Sequence, residues 1–205
     1  MLLHQKLIRK IHHFSSNDAA AAAIEFAILL PLLLFLFVAM VELTTAVSYD
    51  RRVGKAGSSV ADLVGRASDV STSISDIQKA IGHQMTPYED ADVDVRVGMV
   101  LIDENLPKTV WSWGNKDSTP WGQGSKPDGV EFAPSMLTNG QYHLVSTATL
   151  DYTPILGKLM SNLSERLTGD KGNFLSIPLG DSFILQPRRV ACVEYRNNCA
   201  NYSPE

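Results

Sequence analysis

Apolar residues follow three rhythms along the chain, and the first is the densest. Residues 26–41 carry no charge and contain a single helix breaker, Pro31. At 1.5 Å per residue this run spans about 24 Å as a helix, short of a ~30 Å hydrocarbon core. Residues 21–24 and 43–47 supply the missing length but draw Glu25 and Glu42 toward the bilayer. The pattern predicts one membrane-spanning helix over residues 21–47, with a carboxylate near its first turn. A carboxylate there costs free energy unless it reaches the headgroups or meets a positive charge. The partial charge of the helix N-terminus is one such compensation. An amino terminus created by a cut just upstream would be another.

The second rhythm has helical steps of three and four residues. Val53, Ala56, Val60, Leu63, Val64 and Ala67 form a stripe that continues the apolar run as a stalk helix, weakened only by Gly54, Gly57 and Gly65. Residues 68–73 break it. Ser73, with Asp76 three residues later, reads as an N-cap for a short helix whose face is Ile74, Ile77 and Ile81, ending near Gly82 and stopped by Pro87.

The third rhythm has period two. Val93, Val95, Val97 and Met99 alternate with Asp94, Arg96 and Gly98, which predicts a half-buried strand to about Ile102. Residues 103–108 read as a turn and residues 109–113 as the return strand of a hairpin. A long Gly-, Pro-, Ser- and Asp-containing loop over residues 114–134 follows, a length often associated with binding. Residues 141–152 form the strongest further strand. A helical piece over residues 155–167 places Leu156, Leu159, Met160 and Leu163 on one face. Residues 182–185 and 190–195 are the last expected strands. Strands segregate from helices rather than alternating with them, so the expected fold class is α+β with an antiparallel sheet.

Composition narrows the function. The 205 residues carry a net charge of −4, and no basic patch with interleaved aromatics points to nucleic acid. Lys6, Arg9 and Lys10 precede the span while Arg51, Arg52 and Lys55 follow it, so charge alone does not orient the chain. In residues 1–18, Leu2, Leu3, Leu7 and Ile11 are spaced to lie along a membrane surface, although a disordered basic tag fits equally well. Thr44-Thr45-Ala46 would suit a secretory signal peptidase. The apolar run, however, exceeds the about 7–15 residues of a signal core, and that reading leaves Glu25 unexplained.

Catalytic and metal-binding patterns are missing from the sequence. There is no Gly-x-Ser-x-Gly, Ser-x-x-Lys, His-Glu-x-x-His or phosphate loop, and Gly122-Gln123-Gly124-Ser125 lacks the flanking strand and helix of a nucleophile turn. Asp90, Asp92 and Asp94 lack the Gly and distal Glu of a calcium loop and read as a solvated face. His143 reads as a satisfied edge histidine, and His12-His13 point apart on a helix. No enzyme activity, cofactor or metal is expected. Trp111, Trp113 and Trp121 gather around the long loop, either as core or as a contact surface. Cys192 and Cys199 are the only cysteines. A strand entering a turn at Arg196-Asn197-Asn198 would bring them within bridging distance, and a disulfide is the default in an oxidising compartment.

The N-terminal pattern resembles that of the TadE-like family of tight-adherence pilus assembly proteins, which are pseudopilin-like. The family pattern is a short basic leader, a small residue, four residues, Glu-Phe or Glu-Tyr, and a Leu-rich run containing Leu-Pro-Leu. Here Ala20 stands where the family usually has Gly, followed by Glu25-Phe26 and Leu30-Pro31-Leu32. Val110-Trp111-Ser112, Tyr152-Thr153-Pro154 and the stretch Phe183-Ile184-Leu185-Gln186-Pro187-Arg188 resemble shorter family motifs, with Gln186 where Arg is frequent. The resemblance implies a prepilin peptidase that cuts between Ala20 and Ala21, and a mature chain with Glu25 as its fifth residue. It implies assembly roles for Glu25, Phe26 and Pro31, with other pseudopilins and pilin as partners. It also implies a single-pass protein of the bacterial inner membrane, leader cytoplasmic and tail periplasmic. The layout expected is a leader (1–20), a membrane helix (21–47), a stalk and short helix (48–83) and a pilin-like α+β domain (84–205). The alternative is an unprocessed single-pass envelope protein whose tail recognises a ligand or surface.

Overall fold

A computed structural model describes residues 18–86, 93–115, 120–169 and 176–202. In chain order the elements are α1 (Asp18–Arg66), α2 (Ile74–Met85), β1 (Asp94–Asp103), β2 (Leu106–Gly114), a 3-10 turn (Pro134–Met136), β3 (Tyr142–Tyr152), α3 (Ile155–Thr168), β4 (Ile177–Leu185) and α4 (Asn198–Asn201). Residues 1–17 of the leader, including Lys6, Arg9 and Lys10, fall outside the described residues, as do Pro87, Asp90 and Asp92. The chain divides into two compact units, Met1–Thr45 and Ala46–Glu205. The described part of the first is the apolar beginning of α1. The second is an α+β domain built on a four-stranded antiparallel sheet in the order β2-β1-β3-β4.

The hairpin between β1 and β2 is tighter than its sequence suggests. Asp103 pairs with Leu106, so the turn is only Glu104 and Asn105, both at positive φ (52° and 61°). A two-residue turn of that hand matches the twist of its strands. Pro107 is accommodated inside β2 because β2 is an edge strand and need not donate on its open side. Val110 is the extra residue of a bulge, since Met99 pairs with Trp111 and Val100 with Thr109. Gly98 lies opposite Ser112, and a Cβ on it would sit 2.5 Å from the Trp111 carbonyl oxygen.

Two cores flank the sheet. On one face, Val53, Val60 and Val64 of α1 and Ile77, Ile81 and Met85 of α2 pack with Val95, Val97, Met99, Trp111, Leu144 and Ala148. Leu63, expected in the stripe, is instead exposed; Ala61 takes a buried place. On the other face Val100, Ile102 and Val145 are covered by Trp121 and Val130 from the long loop. The far half of β1 is therefore buried on both sides, not half-buried. A loop rich in turn residues still carries enough apolar side chains to roof a sheet. It also guards the β2 edge, where Thr109 N–H donates to the Ser125 carbonyl (2.9 Å) and Gly124 N–H to the Thr109 carbonyl (2.7 Å).

Other boundaries differ for identifiable reasons. Helix α2 runs past Gly82 to Met85, because burial of Met85 (2% exposed) outweighs a glycine's modest cost in a helix. Ser73 precedes it without a side-chain cap bond. Strand β4 begins at Ile177, well before the expected start, since it follows β3 along nine paired positions. Residues 190–195 do not form a sheet strand; they make one isolated parallel bridge, Asp69 with Glu194. His143 lies in an interior strand, not at an edge. It is buried, its Nε2 is 2.9 Å from the Met136 carbonyl oxygen, and its ring meets Phe132 edge-on.

Candidate functional site

Residues 22–37 of α1 are all exposed, and the most apolar stretch of the helix contains no buried residue. It is the one helix among the described residues long and apolar enough to cross a membrane, a candidate single-pass span near the N-terminus. Glu25 is on this exposed surface, one residue before Phe26, which is 60% exposed. Ala20 and Ala21 lie in the opening turn of the helix. The helix continues through Pro31, whose ring removes the hydrogen bond that would reach the carbonyl of Ala27. At the other end of the run the hydroxyls of Thr44 and Thr45 donate to the carbonyls of Met40 and Val41 (2.8 and 2.9 Å). Those bonds keep both hydroxyls satisfied without water. Glu42 is shielded, with 8% exposed.

The lower part of α1 is seated on the sheet of the domain. Val53, Ala56, Val60, Ala61 and Val64 are at most 1% exposed. Gly57 permits the close approach: a Cβ there would meet the Ala148 Cβ at 2.9 Å and the Phe183 ring at 3.0 Å. Ser146 Oγ donates to the Gly57 carbonyl (3.2 Å), tying the helix backbone to β3. Arg52 donates to the Thr86 carbonyl at the end of α2.

The short tail motifs converge on this seat. Trp111 and Trp113 face the helix side of the sheet, and the Trp111 indole N–H donates to the Val193 carbonyl (2.7 Å). Trp121 belongs to the opposite core. Trp111 and Trp121 are 3% and 5% exposed, so they are core residues and not a contact surface. Tyr152 packs against Tyr49 of α1, ring centroids 5.1 Å apart. Phe183 lies over Gly57, and Arg188 reaches the end of the helix. Its N–H donates to the Gly65 carbonyl (2.9 Å), and its guanidinium is 2.8 Å from Asp62, which Arg66 also contacts at 2.5 Å.

Sequence reasoning missed a clasp formed by the chain's end. Val70 N–H donates to the Glu194 carbonyl and Glu194 N–H to the Ser68 carbonyl, both 2.9 Å. Asp69 accepts from the hydroxyl and the N–H of Ser71 (2.6 and 2.8 Å), and Ser71 Oγ accepts from Arg196 N–H (2.8 Å). The Ser71 bonds hold the Asp69 carboxyl below its ordinary range, with burial a lesser opposing influence. Cys192 and Cys199 are joined in a disulfide, Cα atoms 6.1 Å apart, closing the loop that carries Glu194 and Tyr195. Glu194 Oε1 accepts the N–H groups of Tyr195 and Cys199 (3.2 and 2.9 Å). Asp69-Val70-Ser71 is a legible Asp–Ser turn signal. Nothing local tells that its partner lies more than a hundred residues away.

Elsewhere, Lys108 is 2.7 Å from Asp103, and that hydrogen bond raises its pKa. No group of three His, Cys, Asp or Glu among the described residues is arranged to hold a metal ion. No curated protein and no solved structure matches the chain. The family model described as TadE-like protein matches residues 20–62. That TadE-like match lies within α1: it opens at Ala20, takes in Glu25, Phe26 and Pro31 of the apolar run, and extends past Val53 into the part of the helix seated on the sheet.

Proposed function

We propose that this chain is a non-enzymatic, membrane-anchored, pseudopilin-like protein that assists assembly of a tight-adherence (Flp-type) pilus. The observation that carries the reading is the TadE-like match at residues 20–62, with Glu25 at the start of an exposed apolar helix inside it. A prepilin peptidase in the inner membrane cuts between Ala20 and Ala21 on the cytoplasmic side, leaving the folded domain in the periplasm. The new Ala21 ammonium then meets the Glu25 carboxylate of its own or a neighbouring chain. Either charge alone is costly in lipid. Paired, they set the axial register between helices and favour association with other pseudopilins and pilin. Pro31, having freed a backbone carbonyl, gives the helix slack when it is drawn from the bilayer.

The domain supports a structural task over recognition of a ligand. The long loop, which would be the recognition element of an envelope binding protein, uses Trp121 and Val130 to close the second core. Mass spectrometry of the protein from its native cells tests the proposal. A mature chain starting at Ala21 is expected. An intact Met1, or a start at Val47, would count against it.

A further inference from the structure

Helix α3 presents an apolar row to solvent. Ile155, Leu159, Leu163 and Leu167 recur every fourth residue and are 60%, 58%, 50% and 76% exposed, and Met160 beside them is half-exposed. Residues at that spacing lie one above another on a single helix face. Only Gly157 of the helix is buried, so the row is not the side by which α3 packs on its domain. A soluble domain rarely leaves so continuous an apolar strip in water.

The helix begins at a particular place. Strand β3 ends at Tyr152, whose ring packs on Tyr49, and Pro154 then opens α3. Tyr49 is only three residues past Ala46, the first residue of the folded unit, so this contact lies wholly within that unit. The apolar row therefore starts beside the turn of α1 at which the chain enters its domain from the apolar run. Exposed Arg51 and Lys55 follow Tyr49 on α1, and Lys158 and Arg166 are exposed on α3. The acids in the same region are Asp50, Asp151 and Glu165.

We infer that α3 is an interfacial helix, lying in the headgroup layer of the bilayer that holds the start of α1. Its row from Ile155 to Leu167 is immersed, and Lys158, Arg166, Arg51 and Lys55 meet anionic phospholipid. An amphipathic helix with basic polar positions binds such a surface through buried apolar area plus charge attraction. Because the chain is already tethered there, the helix meets lipid at high effective concentration and needs little affinity of its own. The inference rests on the apolar run being membrane-embedded, and it is independent of any pilus role.

The test uses the full chain in nanodiscs containing phosphatidylglycerol, with single spin labels at Leu159→Cys, Leu163→Cys and, on the polar side, Glu165→Cys. The native cysteines are already bonded to each other and stay unlabelled without reductant. Collision rates with oxygen, which partitions into lipid, and with a water-soluble nickel chelate are compared. The expected result is an oxygen-to-nickel ratio severalfold higher at Leu159 and Leu163 than at Glu165. Equal ratios at all three sites would overturn the inference, because the helix would then lie in water. Dipolar broadening between labels at Leu163 in discs loaded with several chains, with high nickel access in singly loaded discs, would overturn it in favour of a second copy. Failure to enter nanodiscs would instead sink the membrane-span reading itself, a distinguishable outcome.

Discussion

Gly57 on the long helix and Ala148 on the third strand stand so close that a Cβ on the glycine would lie 2.9 Å from the alanine's own Cβ. Neither atom belongs to a side chain that can swing away, and Phe183 closes the remaining space at 3.0 Å. Gly57→Ala gains about 1 kcal/mol of helix propensity. Overpacking at such a contact costs about 1–3 kcal/mol. The net expectation is a loss of stability, read as a lower midpoint in denaturant unfolding of the detergent-solubilised protein. Gly82, where an added Cβ meets nothing within 4 Å, is the control. Gly82→Ala should raise the midpoint, and the same sign at both positions would show that packing does not decide the outcome at Gly57.

The C-terminal clasp should be measurable through its bond. The loop closed by Cys192 and Cys199 is short, so reduction is expected to cost about 2–3 kcal/mol by loop entropy. Trp111→Phe, which orphans the Val193 carbonyl, is expected to cost a further about 1–3 kcal/mol. Both changes act on one segment, so their effects should fall short of additivity when combined, as seen in a double cycle of unfolding midpoints. Full additivity would mean that the disulfide loop and the indole bond stabilise the fold separately.

Acid should loosen the same clasp. The Asp69 carboxyl is held below its ordinary value by the two Ser71 bonds. In the window between its folded and unfolded values the unfolded chain binds more protons, so stability rises with pH there. The contribution is fully present above the unfolded value and is lost as pH falls through the folded one. Asp69→Asn should therefore be less stable than the natural chain near neutrality, with the difference shrinking as pH drops through the carboxylate range. A difference that stays constant with pH would assign the effect to shape and not to charge.

Glu25→Gln tests the charge pairing of the proposed function. The amide keeps size and helix propensity close to those of the acid, so cutting between Ala20 and Ala21 should remain nearly intact. Pilus number per cell, counted by electron microscopy, should fall. Normal piliation with the amide in place would remove the charge-pairing mechanism, whatever the state of the N-terminus.

Sequence alone determined the features that repeat with a backbone period. A sixteen-residue uncharged run, the stripe from Val53 to Val64, the alternation through β1 and the segregation of strands from helices are all local, because helix and strand geometry present side chains at set intervals. The TadE-like signature was legible for the same reason, being a short contiguous pattern around Glu25, Phe26 and Pro31. What tertiary structure decided is which surfaces are covered, and by what. The turn-rich loop roofs the second face of the sheet, His143 becomes an interior residue, and the expected last strand becomes a clasp gripping Asp69, Ser71 and Trp111. Helix α3 has an apolar face as clear as that of α2, yet one is buried and the other is not. Periodicity states that a face exists. Its burial depends on partners distant in the chain, and no local pattern encodes where those partners arrive.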